Sequence, residues 1–340
     1  MKSGPVFLAL SFFTALGINS QADSPHDLRK NKDLGGTIVS ELEAGQLDLL
    51  ENQYQDFQSR TLGDGTSKFW VYFDAFFTKT SFAGSLQEAT SFTEKARQWL
   101  RERPDSVPAV LALLECLLGQ CQYLRKSFLA GTTPKDPEQI ETRRFEIDSL
   151  LRTFPAQDAL VASPQYYSTT IQFFPLTAAD YKIFQDLEHD LTHIDPYFAP
   201  FYIRSLSWLK FKRQKDTSFP RAEIWLLDHL KPTALDSGEE RAKKCRTYAQ
   251  VLAFDRDKDQ PLDATLLDWP TLKAGLQSFI QIYGPETDWP SRLLAYSWQF
   301  KDKETAKEAL SIIQGNYSSE IFTDPTAFQD LGKWLESAEE

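Results

Sequence analysis

The chain has 340 residues, 41% of them hydrophobic and 13% aromatic, with 37 basic against 48 acidic side chains and a net charge of −11. That apolar content can build a continuous core and excludes disorder as the default state. The acidic balance repels phosphate backbones, and the basic residues are scattered instead of forming a stripe with stacking aromatics, so nucleic acid is excluded as an expected partner.

Met1 and Lys2 are followed by an apolar run from Val6 to Leu16 and then by Ser20-Gln21-Ala22, the charged, apolar and small-residue parts of a secretory signal in order. The run spans about eleven residues where a bilayer core needs about twenty, so residues 1–22 read as a cleaved signal with Ala22 the last residue removed. The expected product is exported, periplasmic or extracellular, and has no membrane span once the signal is gone. No cysteine follows the run to suggest a lipid anchor. Residues 23–36 carry no amphipathic pattern and read as a flexible segment ahead of a helical domain over 37–340.

From Thr37 onward, apolar residues recur at three- and four-residue spacing, broken by Pro, Gly and Asp-Ser signals, and strict strand alternation is rare. Thr37 to Phe57 predicts two short helices hinged at Ala44-Gly45-Gln46, with Leu42, Leu47, Leu50 and Tyr54 inward. Trp70, Tyr72, Phe73, Phe76 and Phe77 predict an aromatic helix after Gly63-Asp64-Gly65. Glu88 to Arg103 continues through Phe92, Ala96, Trp99 and Leu100 until Pro104-Asp105-Ser106 stops it. Val107 to Leu129 is apolar on most sides and is expected deep in the core. Further helices are predicted at 137–153, 164–174, 178–193, 197–213, 218–230, 237–254, 270–283, 290–300, 303–314 and 325–337. Short loops favour antiparallel neighbours, so the expected fold is all-α, built of stacked helical hairpins, with a closed α/α toroid as the alternative. The break from Gly131 to Pro137 is the best division into halves, 37–131 and 137–340.

Three junctions share a character: Trp99-Leu100 with Pro104-Asp105-Ser106 and Ala109; Leu191 to Tyr202 with Ile194-Asp195-Pro196-Tyr197 at the break; and Trp269-Pro270 through Gly275, Phe279, Tyr283 and Pro285 to Trp289, then Ala295, Asp302 and Ala306. The first two resemble the step between hairpins in tetratricopeptide-like repeats. The third resembles the tail of a family of domains of unknown function, a resemblance that runs from about Thr37 to Ile313. It implies a superhelix of degenerate repeats and carries over no catalytic residue.

Cys116, Cys121 and Cys245 follow no zinc or redox spacing. On one helix Cys116 and Cys121 would point about 140° apart and lie roughly 8 Å apart at Cα, too far to bridge. All three read as small buried apolar residues, with a bridge from Cys245 as the minority alternative.

Three patterns could carry chemistry. His189 and His193 lie one turn apart on a helix, the spacing zinc needs, but Asp190 stands where the zinc-protease motif requires Glu. Asp255, Asp257, Asp259 and Asp263 resemble the first, third, fifth and ninth ligands of a calcium-binding loop, although Gln260 replaces the turn glycine and Leu266 the closing Glu. Asp268-Trp269-Pro270 and Asp288-Trp289-Pro290 place an acid beside an aromatic at two helix starts, an arrangement that could grip and protonate a sugar in a toroidal glycosidase. It equally suits helix caps with Trp packing anchors. The leading expectation is therefore a non-enzymatic binding or scaffold protein that engages a protein or peptide, with no required cofactor and calcium as a candidate ion. An exported hydrolase, toroidal or zinc-dependent, is the alternative.

Overall fold

The computed structural model describes residues 26–63, 65–129, 137–177, 179–255, 262–315, 317–318, 321–322 and 325–337. The expected signal over 1–22, the division at 131–136, and Asp257 and Asp259 lie outside them. The described chain is all-α; its β content is a single antiparallel bridge between Thr61 and Ser67. Contacts divide the described residues into two compact units, one from Arg29 to Arg204 and one from Ser205 onward.

The first unit holds α1 (His26–Glu43), α2 (Leu47–Phe57), α3 (Lys68–Ser81), α4 (Leu86–Glu102), α5 (Val107–Leu129), α6 (Pro137–Thr153), the single turn α7 (Gln157–Val161), α8 (Pro164–Phe173), α9 (Tyr181–Ile194) and the start of α10 (Ala199–Lys215). α1 begins inside the segment expected to be flexible, because its polar first turns, Arg29 to Asp33, offer no apolar stripe to read. Caps fix the helix starts: Ser67, Ser85, Ser106 and Asp180 each accept a backbone N–H three residues on, satisfying a donor the helix leaves unpaired.

α5 is the axis of this unit. It is long and apolar enough to cross a membrane, and 83% of its most apolar window is buried inside the protein, the surroundings of a core helix. α3, α4, α6 and α8 all pack on it. The α3 contact is close because Gly119 has no side chain: a Cβ there would stand 2.0 Å from Thr80 Oγ1 and 2.6 Å from the Phe77 carbonyl oxygen. Tyr72, Phe73 and Phe76 on α3 are fully buried and meet edge to face, with Trp99 beyond Phe76. At the first junction Trp99 Nε1 donates to Glu51 Oε1 at 3.0 Å, and Ser106 Oγ donates to the same oxygen, so one α2 carboxylate ties the end of α4 to the start of α5. At the second, Tyr202 donates its hydroxyl to the Pro196 carbonyl at 2.8 Å and closes the turn.

The second unit continues through α11 (Ala222–Leu230), α12 (Gly238–Phe254), α13 (Trp269–Tyr283), α14 (Trp289–Gln299), α15 (Lys303–Ile313) and α16 (Pro325–Glu336), each packed on the next from α11 to α16. A capping box of Ser237 and Glu240 opens α12. Gly275 lets α13 press on α12, since a Cβ there would lie 2.1 Å from the Cys245 carbonyl oxygen. The end of α12 is held by α14: Arg292 donates to the Ala253 carbonyl at 2.9 Å and Tyr296 to the Leu252 carbonyl at 3.1 Å. All three cysteines are free and buried, as small apolar residues would be.

Candidate functional site

Two acid–tryptophan steps are among the patterns that could carry chemistry. Asp268 accepts the Thr271 backbone N–H at 3.1 Å and the Thr271 hydroxyl at 2.6 Å, and so caps α13; its other oxygen takes Lys231 Nζ at 2.7 Å. Burial pushes the Asp268 carboxyl up, but these partners outweigh it and hold the group below the usual carboxylate range. A general acid needs the opposite shift. Trp269 stacks on Phe300 at 5.0 Å and donates to Asp302 at 3.0 Å. Trp289 stacks on Phe279 at 4.1 Å and is 3% exposed, so it is closed to a sugar face. Asp288 occupies the cap position of α14 without a capping bond, and its Oδ1 is shielded from solvent with no hydrogen-bond partner among the described residues. Asp268 precedes the first turn of α13 and Asp288 follows its last. At 1.5 Å per residue that places the two acids roughly 15 Å or more apart along the helix. A glycosidase pair stands about 5 to 9.5 Å apart.

The two described carboxylates of the calcium pattern are each engaged in an ion pair. Asp255 receives Lys210 Nζ at 2.6 Å in a buried pair. Asp263 caps the short turn Ala264–Leu266 through Thr265 and pairs with Arg221 at 3.0 Å, and its backbone N–H donates to Glu223. His189 and His193 share one exposed face near the end of α9, ring centroids 4.5 Å apart. Glu188, the residue before His189, is buried instead of sharing that exposed face. Among the described residues no three His, Cys, Asp or Glu side chains converge, so the three-ligand set of a catalytic zinc is not assembled there.

The most concentrated buried polar site is one that sequence reasoning missed. Glu115 sits fully buried in the middle of α5, between Leu114 and Cys116. Arg204, at the start of α10, donates to both its oxygens at 2.8 and 3.0 Å. From α8, Gln165 Nε2 and Thr169 Oγ1 donate to Oε1 at 2.8 and 2.7 Å. Four donors thus offset the desolvation of one carboxylate, which would otherwise cost several kcal/mol. Gln165, Ser168 and Thr169 share one face of α8 and are all buried. Gln165 Oε1 and Ser168 Oγ find no partner among the described residues. The only signal in the sequence was an acid inside an otherwise apolar helix.

A second buried cluster joins α4, α5 and α6. Gln120 Nε2 donates to the Ala89 carbonyl at 3.1 Å and to Thr93 Oγ1 at 2.5 Å, while Arg143 donates to Gln120 Oε1. Both clusters place hydrogen-bonded groups at helix crossings, where they set the rotation of each helix as well as its contact. Tyr167, Phe173 and Phe174 are likewise buried.

No family model, curated protein or solved structure matches the chain. The likeness to tetratricopeptide-like repeats consequently rests on the junction residues alone.

Proposed function

We propose that the chain is an exported helical-repeat binding or scaffold protein that engages a protein or peptide partner. The observation that carries this reading is the fate of the two acid–tryptophan steps. Asp268 caps α13 and pairs with Lys231, Trp269 and Trp289 are stacked against neighbouring rings, and the two acids stand at opposite ends of α13. Of the residues that a toroidal hydrolase would use on a sugar, Asp268, Trp269 and Trp289 are engaged in capping and helix packing. From α11 to α16 each helix packs on the next, the serial arrangement from which helical repeats build a surface for a partner polypeptide. The net charge of −11 favours a basic or neutral partner over an acidic one.

The test has two arms. A panel of glycans is incubated with the chain and with the Asp268→Asn and Asp288→Asn variants, and a randomised peptide library is photo-crosslinked to the wild type. Sequence-selective peptide capture without glycan cleavage is the expected result. Cleavage that either substitution abolishes would overturn it in favour of the hydrolase.

A further inference from the structure

The end of α9 carries a pair of imidazoles that no feature of the core requires. His189 and His193 are both exposed, one helical turn apart, with ring centroids at 4.5 Å and planes inclined at 69°. Their neighbour on the inner side, Leu191, is buried and carries the packing of that turn. The pair is thus displayed on a helix anchored from beneath.

The hydrogen bonding fixes which nitrogen is free. His193 Nδ1 lies 2.8 Å from the His189 carbonyl oxygen. A carbonyl oxygen only accepts, so in the neutral ring Nδ1 carries the proton and the lone pair sits on Nε2. An imidazole whose second nitrogen donates to a backbone carbonyl is the arrangement found behind metal-ligating histidines, where that bond holds the ring and raises its basicity.

The surroundings favour a cation. His193 lies in the last turn of α9, where unpaired carbonyls gather partial negative charge. Asp186 and Asp190, one turn and one residue from His189, are exposed on the same helix. Lys182 is the one positive group paired within this stretch, reaching Asp186 at 3.4 Å.

We propose that His189 and His193 form a surface chelate for a borderline divalent metal ion, with zinc as the reference ion and solvent completing its coordination. Imidazole suits zinc, copper and nickel and disfavours calcium and magnesium, which take oxygen ligands. With two protein ligands and an open outer side, this is an exchangeable docking point for the ion and not a closed structural site. The inference does not depend on the proposed partner-binding function.

Zinc chloride and, separately, calcium chloride are titrated into the full chain and into the His189→Ala and His193→Ala variants, with heat of binding as the readout. Alanine is the best helix former and both positions are exposed, so α9 stays folded; circular dichroism of each variant checks this. Zinc binding that weakens about tenfold or more in both variants, with no comparable response to calcium at this site, is the expected result. Zinc binding of equal strength in the wild type and either variant overturns the proposal, and so does an absence of zinc binding to the wild type.

Discussion

Arg204 grips Glu115 with two guanidinium nitrogens, at 2.8 and 3.0 Å, across 89 residues of sequence and against the most buried helix of the first unit. Removing the arginine leaves a buried carboxylate without its countercharge. Arg204→Ala is expected to destabilise the chain by about 3 to 5 kcal/mol, while the paired replacement Glu115→Leu with Arg204→Met is expected to lie much closer to the wild type. Urea denaturation of the two variants measures the difference. Equal losses in both would mean that the pair contributes packing alone.

The two helix crossings closed by glycine predict a different response. At Gly119 and Gly275 a single added methyl would overlap backbone or Thr80 on the neighbouring helix. Gly119→Ala and Gly275→Ala each raise helix propensity, which favours folding by up to about 1 kcal/mol. Each should nevertheless lower stability by about 1 to 3 kcal/mol, because the neighbouring helix has to move. A rise in melting temperature in either variant would show that the crossing has slack.

Acid should loosen the second unit through Asp302. Burial pushes this carboxyl up, but hydrogen bonds from Thr305, Trp269 and Lys273 outweigh it and hold the group well below the usual carboxylate range. A carboxyl with a depressed folded pKa binds fewer protons folded than unfolded. Its contribution to stability is present above the unfolded value near pH 4 and is lost as pH falls through the folded value. Asp268 has the same sign. In Asp302→Asn the loss of stability on acidification below about pH 4 is expected to be shallower than in the wild type, as read by thermal unfolding across pH.

The thiols should be inert while the chain is folded. Burial pushes the Cys121 thiol up to about 11 and raises Cys116 and Cys245 as well, so thiolate is scarce at neutral pH and access is blocked. Labelling with a thiol reagent at pH 8 is expected to proceed at the rate of unfolding, and to reach all three sites at once in denaturant. Fast labelling of Cys245 in the native chain would point to local opening of the α12–α13 crossing.

Helix positions were legible because their signals are local. Ser106, Asp268 and Asp302 mark helix starts, each accepting the backbone N–H three residues on, and α4, α5, α12 and α13 follow the apolar spacing closely. α7 has five residues, too few for a period to register. The acid–tryptophan steps were visible, but their role was not, since the stacking partner of Trp289 lies on the preceding helix and that of Trp269 at the far end of α14. Glu115 was invisible for a stronger reason. Its partners stand 50, 54 and 89 residues away, so nothing near it in the chain distinguishes a satisfied carboxylate from an error of patterning.

The carbonyls of Leu252 and Ala253 are satisfied by Tyr296 and Arg292, two helices further on. Within this stretch the hairpins are consequently not interchangeable beads. A deletion that excised α13 and α14 as a unit would strip α12 of the groups that finish it, even though the cut fell cleanly in two loops. Duplication or loss of hairpins, the usual way a helical array changes length, is barred here unless the donors move with it. The stretch from α12 to α14 is inherited, engineered or lost as one piece.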